Sequence, residues 1–408
     1  MKTLGSIVKY RKGKPPKTGP NGRLPVLSPH YLRTGQVEEI ADPMPRDVIL
    51  EGGEIVLLWD GSNAGEFFRA RAGVLSSTMV AFEFDHEETN PDYLYYDLKR
   101  FEPELKGRTA GSGIPHVDKE ILLAREIFEG GADEQKAVAN VLLKVDSAIE
   151  QTEALLTKQQ RTKAGLMQDL LTRGLDSGGS LRDVSNCHFK PSIFGQIPEM
   201  WDVKPLAQCT KVPITYGIVQ AGPHVPGGIP YVRTGDMDGD ELIRETMLCT
   251  STEVASHFRR SEVRAGEIVC AIRATVGKVL PVPQNLDGAN LTQGTARISP
   301  NSSTHWRFLL WSLRAFRTQQ EIRLQSKGTT FAEITLTDLR NIPVIMPRDF
   351  DEQVRIAKII DKSEEVLRKS RARLEKLKRT KNGLMQDLLT GRVPVAPLLE
   401  NPNTMCAP

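Results

Sequence analysis

A chain of 408 residues is too long for a single hydrophobic core and suits two or three domains. Hydrophobic residues make up 39% and charged residues 26%, an ordinary balance for a soluble globular protein. No N-terminal apolar signal and no apolar run of about 18 residues is present, so neither secretion nor a membrane span is expected. Five cysteines without a Cys-x-x-Cys pair favour a reducing cytoplasm, and a net charge of +3 permits nucleic-acid binding without requiring it.

Residues 1–130 have the mixed pattern of a first globular domain. Short apolar runs at residues 53–59 and 74–84 are bounded by Gly, Pro and Asn, which predicts strands. Asn90-Pro91 predicts the start of a helix over residues 92–101, because proline suits the first helical turn. Gly130-Gly131 and Asp133 then predict a joint and the N-cap of the next helix.

Long helices are predicted over residues 131–173 and 348–391. Each begins near a Glu-Gln pair, and the same heptad pattern recurs 218 residues later. In the first helix it comprises Val138, Leu142, Val145, Ile149, Thr152, Leu156, Gln159, Lys163, Leu166 and Leu170. Such 4-3 spacing places the set on one helical stripe, as a coiled coil requires, and each helix would be about 60 Å long. Twelve residues close to their ends, 161–172 and 379–390, differ at one position only.

Between the helices, residues 174–196 form a polar linker and residues 197–347 repeat the first domain in outline. Arg33-Thr34-Gly35 corresponds to Arg233-Thr234-Gly235, and Gly53-Glu54-Ile55-Val56 corresponds to Gly266-Glu267-Ile268-Val269. Sequence between the anchors differs, and residues 392–408 form a C-terminal tail. The pattern indicates a tandem duplication: domain, helix, domain, helix.

Four features together are typical of one family: the Glu-Gln helix openings, the two Gly-Leu-Met-Gln-Asp-Leu-Leu-Thr tails, the Arg-Thr-Gly turns, and Ile197-Pro198 with Trp201. Over residues 4–392 the chain resembles the specificity subunit of type I restriction-modification systems. That resemblance implies an α/β (α+β) fold of two tandem target recognition domains. It also implies that the two helices form an antiparallel intramolecular coiled coil with pseudo-two-fold symmetry. The first domain has no counterpart of Trp201, which leaves open whether its opening strand is complete.

The resemblance also implies a non-catalytic DNA-binding role in the cytoplasm. Each domain would recognise one half of a bipartite, asymmetric site in double-stranded DNA. Two modification methyltransferase subunits would dock on the chain, and restriction subunits would join through them. No cofactor is expected in this chain, since S-adenosylmethionine would belong to the partner subunit.

Candidate DNA contacts are polar side chains in or beside predicted loops. Arg can donate two hydrogen bonds to guanine, Asn or Gln can pair with adenine, and Gly-rich loops can hold phosphates. In the first domain the candidates are Arg33, Thr34, Arg69, Arg71, Ser112 and His116. In the second they are Arg233, Thr234, Arg273, Asn290, Thr292, Gln293, Lys327, Thr329 and Thr330. The alternative for each is a plain turn or surface residue without a ligand, and for the two Arg-Thr-Gly segments it is a structural turn at a strand end.

The repeated helix ends are candidates for partner docking, because two copies of one surface imply two copies of one partner. The docking residues would be Leu166, Met167, Leu170, Leu384, Met385 and Leu388.

Catalysis and metal binding are not expected. The seven histidines have no ligand spacing, and no Ser-His-Asp pattern is present. Asn90-Pro91-Asp92-Tyr93 looks like the Asn-Pro-Pro-Tyr box of amino-methyltransferases but lacks its second proline, so a helix start is favoured. The remaining alternative is a two-headed coiled-coil scaffold whose domains bind non-nucleic ligands.

Overall fold

The computed structural model describes residues 2–108, 115–128, 130–328 and 332–395. The chain divides into two compact units, Met1–Ala154 with Arg371–Pro408, and Leu155–Ser370. Each unit contains one globular domain and one half of each of two long helices.

The first unit is built from short strands and helices. Its strands are β1 (Lys2–Thr3), β2 (Lys9–Lys12), β3 (Leu24–Leu27), β4 (Ile40–Ala41), β5 (Ile49–Leu50), β6 (Ile55–Leu58), β7 (Phe67–Arg69), β8 (Gly73–Leu75), β9 (Met79–Glu83) and β10 (Glu126–Ile127). Its helices are α1 (Leu4–Ile7), α2 (Pro29–Thr34), α3 (Pro91–Gly107), α4 (Lys119–Leu123) and the first half of α5 (Ala132–Thr172).

Two four-stranded sheets form the first domain. One has the order β2-β9-β6-β7 and is antiparallel, and the other has the order β4-β3-β8-β5, with β3 and β8 parallel. Strand β6 is buried on both faces because its alternating side chains enter two different cores. Ile55 and Leu57 join the cluster beneath α3, whereas Val56 and Leu58 join the cluster between the sheets.

The second unit repeats this plan with additional segments. Its strands are β11 (Phe189–Ser192), β12 (Gly195–Pro198), β13 (Trp201–Pro205), β14 (Thr215–Tyr216), β15 (Ile229–Val232), β16 (Cys249–Thr250), β17 (Ile268–Ala271), β18 (Val279–Pro281), β19 (Asn290–Leu291), β20 (Thr295–Ile298) and β21 (Pro343–Pro347). Its helices are α6 (Thr252–His257), α7 (Trp306–Arg314), α8 (Phe316–Gln325), α9 (Leu336–Asn341) and the first half of α10 (Phe350–Leu388). Single 3-10 turns lie at Leu206–Cys209, Thr234–Met237, Arg244–Thr246, Arg259–Ser261 and Gln284–Leu286.

Strand order shows that the two domains share one fold. The sheet β14-β20-β17-β18 matches β2-β9-β6-β7, and β15 is parallel to β19 as β3 is to β8. Strand β17 divides its side chains between two cores, as β6 does. The opening strand is the main difference: β13 pairs with β21 over five residues, while β1 pairs with β10 over two.

The two long helices run antiparallel in each unit. In the first unit, ion pairs join Asp146 to Lys381 at 2.6 Å and Glu153 to Lys378 at 2.9 Å, so residue numbers rise along α5 as they fall along α10. In the second unit, Lys163 of α5 is paired with Glu364 of α10. These three ion pairs confirm the predicted antiparallel coiled coil. Helix α5 has 41 residues and α10 has 39.

The glutamine of each Glu-Gln pair ties the start of a long helix to the adjacent domain. Gln135 Oε1 accepts a hydrogen bond from the Asn90 backbone N at 2.9 Å, immediately before α3. Gln353 Oε1 accepts one from the His305 backbone N at 2.8 Å, immediately before α7. Both glutamines are buried, so the repeated motif satisfies a backbone donor at the start of a domain helix.

Glu352 has a further role in the second unit. It is 2% exposed and accepts hydrogen bonds from Arg182 and from the backbone N of Leu175. Trp201 Nε1 also donates to it, at 3.2 Å. This buried carboxylate therefore attaches the linker and the opening strand of the second domain to α10.

Three local expectations from the sequence were wrong. Residues 74–84 form two strands, β8 and β9, because a turn at residues 76–78 sends the chain from one sheet to the other. Arg33 and Thr34 do not lie at a strand end, because they close the short helix α2, which Gly35 ends at φ 76°. Asp133 is not the N-cap, because helix α5 begins at Ala132.

Candidate nucleic-acid interface

Four of the predicted DNA-contacting side chains meet in the second domain. Thr234 follows β15, Arg273 follows β17, and Thr292 and Gln293 follow β19. All four line one open cleft of about 300 Å³. Because β15 and β19 are adjacent and parallel, the loops that follow them leave the same sheet edge. The cleft therefore carries the donors and acceptors that recognition of a base edge requires.

Arg273 is oriented by an acidic neighbour. Its Nε and Nη2 atoms each lie 3.0 Å from Glu333 Oε1, and its side chain is 44% exposed. A guanidinium has five N–H donors, so this pairing leaves donors on its outer edge. The Glu333 backbone is bonded to Lys327 in both directions, at 2.8 and 2.9 Å, which places the predicted Lys327 beside the same site. Lys327 is exposed.

Two other candidates in the second domain have structural roles. Asn290 is 1% exposed, and its Oδ1 accepts a hydrogen bond from Ser261 Oγ at 2.6 Å. Its side-chain amide is therefore hydrogen-bonded inside the domain, and the prediction that it contacts a base is wrong. Arg233 is held by Asp236, with Nη2 2.7 Å from Oδ1, and this hydrogen bond raises the pKa of Arg233.

In the first domain two of the predicted arginines are paired with acidic side chains. Arg33 pairs with Glu66, and Arg69 pairs with Asp92 at 2.5 Å. Both guanidiniums are therefore engaged within the domain.

The remaining candidates of the first domain differ in accessibility. Arg71 is exposed, with its guanidinium carbon 5.6 Å from the ring centroid of Tyr31. Thr34 Oγ1 donates to the His30 carbonyl at 2.8 Å. His116 is exposed and its backbone bridges to Asp60. Ser112, Thr329 and Thr330 lie outside the described residues.

Sequence reasoning missed Lys12 and Asp60, whose side chains pair at 2.7 Å beside β6. A signal for this region was present in two glycines. A Cβ on Gly13 would lie 2.1 Å from the Ser76 carbonyl oxygen, and one on Gly217 would lie 1.9 Å from that of Leu291. In both domains the backbone after the first strand of the antiparallel sheet, β2 or β14, approaches the end of the second parallel strand, β8 or β19, so closely that only glycine fits.

The apolar residues predicted to dock a partner lie against the domain cores instead. Leu170 is 1% exposed, Leu388 5% and Met385 7%. Leu166, Met167 and Leu384 are partly buried against the same clusters. The heptad stripe continues to the end of each helix, so these side chains pack within their own unit. For Leu170, Met385 and Leu388 this burial contradicts the predicted role in partner docking.

Two kinds of feature are absent from the described part of the chain. No helix there is long and apolar enough to cross a bilayer. No group of three or more His, Cys, Asp or Glu side chains there could hold a metal ion.

Comparison with known proteins places this architecture in a family. Residues 1–158 and 198–379 match the type I restriction modification DNA specificity domain. The chain is 30% identical to the type I restriction enzyme MjaVIII specificity subunit of Methanocaldococcus jannaschii, over 96% of this chain and 92% of that protein. It is 22% identical to the EcoBI specificity subunit of Escherichia coli, over 80% and 69%.

A solved structure supports the fold independently of sequence. The S subunit of a type I restriction-modification system from M. genitalium superposes with a TM-score of 0.62 at 16% identity, covering 95% of each chain. The duplicated domains and antiparallel helices are thus shared with a protein of very different sequence. The chain belongs to the family of type I restriction-modification DNA specificity subunits.

Proposed function

We propose that this chain is the non-catalytic subunit that selects a bipartite, asymmetric DNA site for a type I restriction-modification complex. One observation carries the proposal: two domains with the same strand order display different side chains at the ends of equivalent strands. A shared scaffold with different loops recognises two different half-sites. The polar cleft around Arg273 supports a role in base recognition for the second domain.

The paired helices are proposed to set the spacing between the half-sites. At about 1.5 Å per residue, a helix of 41 residues is on the order of 60 Å long, and one turn of B-DNA is roughly 34–36 Å. Pairing within one chain makes such a helix stiffer than a single helix in water.

Two copies of one partner are proposed to dock on the exposed side of the repeated helix ends. Burial explains why the apolar residues of the repeat are identical, but identical exposed residues need another reason. These are Arg161 and Arg379, Thr162 and Thr380, Gly165 and Gly383, and Gln168 and Gln386. The partners in this proposal are two modification methyltransferase subunits, through which restriction subunits join.

The two glycines are the most informative of these positions. A glycine inside a helix costs about 1 kcal/mol relative to alanine. Among the described residues, no atom outside the local helix backbone lies within 4 Å of a Cβ added at Gly165 or Gly383. Packing within the chain therefore does not require glycine at either position. Close approach by a partner backbone would.

This proposal assigns the chemistry to the partner. S-adenosylmethionine and transfer of its methyl group to adenine N6 would belong to the modification subunits, which must extract the target base from the duplex. The specificity subunit would contribute the site and the spacing.

Stoichiometry tests the docking surface. Gly165→Gln and Gly383→Gln should each reduce the number of co-purified modification subunits from two to one, and the double variant should retain none. Ala164→Asn is the matched control, because it makes the first copy identical to the second and should bind two. Gly383→Ala should stabilise the helix by about 1 kcal/mol, so weaker docking by that variant cannot be ascribed to unfolding. Two subunits bound to the double glutamine variant would contradict the docking surface.

Mapping of methylated adenines tests the function itself. Cells that carry this chain with its modification subunit should show methylation at one split sequence. Replacing residues 1–130 with the corresponding domain of another specificity subunit should change the bases of one half-site and leave the other intact. Changes in both half-sites would refute independent recognition by the two domains.

A further inference from the structure

Backbone hydrogen bonds identify the residue of the second domain that corresponds to Asp60. The backbone of Trp59, the residue before Asp60, donates a hydrogen bond to the segment after the parallel strands and accepts one from the segment before α4. These bonds are Trp59 N to Thr78 O at 2.8 Å, Val117 N to Trp59 O at 2.9 Å and Gly61 N to Pro115 O at 2.9 Å.

The same three bonds occur in the second domain around Arg273. They are Ile272 N to Gly294 O at 2.9 Å, Ile334 N to Ile272 O at 3.0 Å and Ala274 N to Ala332 O at 3.0 Å. In addition, Asp60 forms an isolated antiparallel bridge with His116, and Arg273 forms one with Glu333. Asp60 therefore corresponds to Arg273, and His116 to Glu333.

The matched positions carry opposite hydrogen-bonding character. Arg273 can only donate, whereas the carboxylate of Asp60 can only accept. Each has a neighbour of opposite charge: Glu333 beside Arg273 at 3.0 Å, and Lys12 beside Asp60 at 2.7 Å. Both side chains are partly accessible, with 44% of Arg273 and 31% of Asp60 exposed.

Each arrangement suits a particular base in the major groove. Glu333 engages Nε and one Nη of Arg273, so the outer donors can pair with guanine O6 and N7. An aspartate can accept from the N4 amino group of cytosine. Lys12 offsets the negative charge of Asp60, which would otherwise oppose approach to the phosphates.

We propose that this one position determines specificity in both half-sites: Arg273 selects a guanine for the second domain, and Asp60 selects a cytosine for the first. The proposal rests on the proposed function, since it presumes that both domains bind DNA. Glu333 acts on specificity as a positioning residue, through Arg273.

Selection from random duplexes tests the assignment. The full chain, complexed with its modification subunit, is presented with duplexes of random sequence, and the bound fraction is sequenced. Arg273→Met keeps the apolar stem and removes the donors, so a guanine preference should fall about tenfold at one position of one half-site. Asp60→Asn should produce an equivalent loss of cytosine preference in the other half-site. Glu333→Gln should lower the guanine preference less than Arg273→Met does.

Matched controls separate specificity from charge and folding. Arg264 and Asp42 are exposed, ion-paired residues outside the two matched positions, so Arg264→Gln and Asp42→Asn should select the unaltered site. Salt-dependent affinity for a fixed unrelated duplex should persist in Asp60→Asn and Glu333→Gln, which reports a folded protein.

The outcomes distinguish the inference from the function on which it rests. If Arg273→Met and Asp60→Asn select the unaltered site, the inference is overturned while the proposed function stands. Loss of preference in both half-sites from one substitution would also overturn it. An unaltered complex that enriches no sequence would overturn both.

Discussion

Lys381 Nζ lies 2.6 Å from Asp146 Oδ1 and 5.4 Å from the ring centroid of Tyr96. The same arrangement occurs 218 residues earlier, where Lys163 pairs with Glu364 and lies 4.7 Å from the ring centroid of Trp311. Both lysines belong to the heptad stripe. In a parallel, in-register pairing Lys163 would face Lys381, whereas the antiparallel pairing gives each lysine a carboxylate. These charges therefore favour the observed direction.

The Lys381–Asp146 pair is expected to stabilise the first unit. Its side chains are 24% and 28% exposed, so a double-mutant cycle of Lys381→Met and Asp146→Asn should give a coupling of about 1 kcal/mol. Urea denaturation of the four proteins measures it. The more exposed Lys378–Glu153 pair, at 46% and 49%, is the control and should couple by less than about 0.5 kcal/mol. Equal coupling energies for the two ion pairs would show that the heptad position of Lys381 does not strengthen its pair.

Leu388 should matter for folding. It is 5% exposed within the core of the first unit, so Leu388→Ala should destabilise that unit by roughly 2–5 kcal/mol. The change appears as a lower denaturation midpoint of the isolated chain. Gln386→Ala, in the same turn but exposed, should change the free energy of unfolding by less than about 0.5 kcal/mol. A Leu388→Ala chain with an unchanged midpoint would restore Leu388 as a docking residue.

Glu267 should make the stability of the second unit depend on pH. Burial opposes its ionisation, but hydrogen bonds from Arg297 and Ser299 outweigh burial and hold the pKa of Glu267 below its ordinary value. A lowered folded pKa means that its stabilisation is complete above the ordinary pKa and is lost as pH falls through the folded one.

Glu267→Gln tests this sign. Denaturation midpoints should differ most between the variant and the unaltered chain at about pH 7, and the difference should shrink only as the pH falls below the ordinary pKa of a glutamate. Glu54→Gln is the matched control, because Glu54 has the same position in the repeated motif. Its carboxylate accepts hydrogen bonds from the backbone N–H groups of Glu51 and Gly52. A difference that grows on acidification would contradict the assignment.

Lengthening both helices tests the proposed spacing role. One heptad inserted after Ala154 and another after Ser370 would keep the stripe in phase and add about 10 Å, close to three base pairs of B-DNA. Methylated sites should then contain a spacer longer by about three base pairs, between unchanged half-sites. A control insertion of seven residues in the linker at residues 176–180 should leave the spacer unaltered. Altered half-site bases would argue against a spacing role.

The sequence by itself determined the duplication, the two long helices and the family. These properties are encoded locally: heptads recur at fixed intervals, and the repeated motifs keep their order along the chain. The Glu-Gln pairs were also visible, although only the structure showed that Gln135 and Gln353 each accept a backbone hydrogen bond before a domain helix.

Only the tertiary structure decided which polar and apolar side chains are accessible. Asn290 and Arg273 are equally plausible in the sequence, yet one is buried against Ser261 and the other lines a cleft. Leu388 appeared free because a helix end gives no sign of what packs against it. Asp60 was missed because its correspondence to Arg273 depends on backbone hydrogen bonds between segments about 20–60 residues apart. Such pairings are set by the folded sheets, and residue types alone do not reveal them.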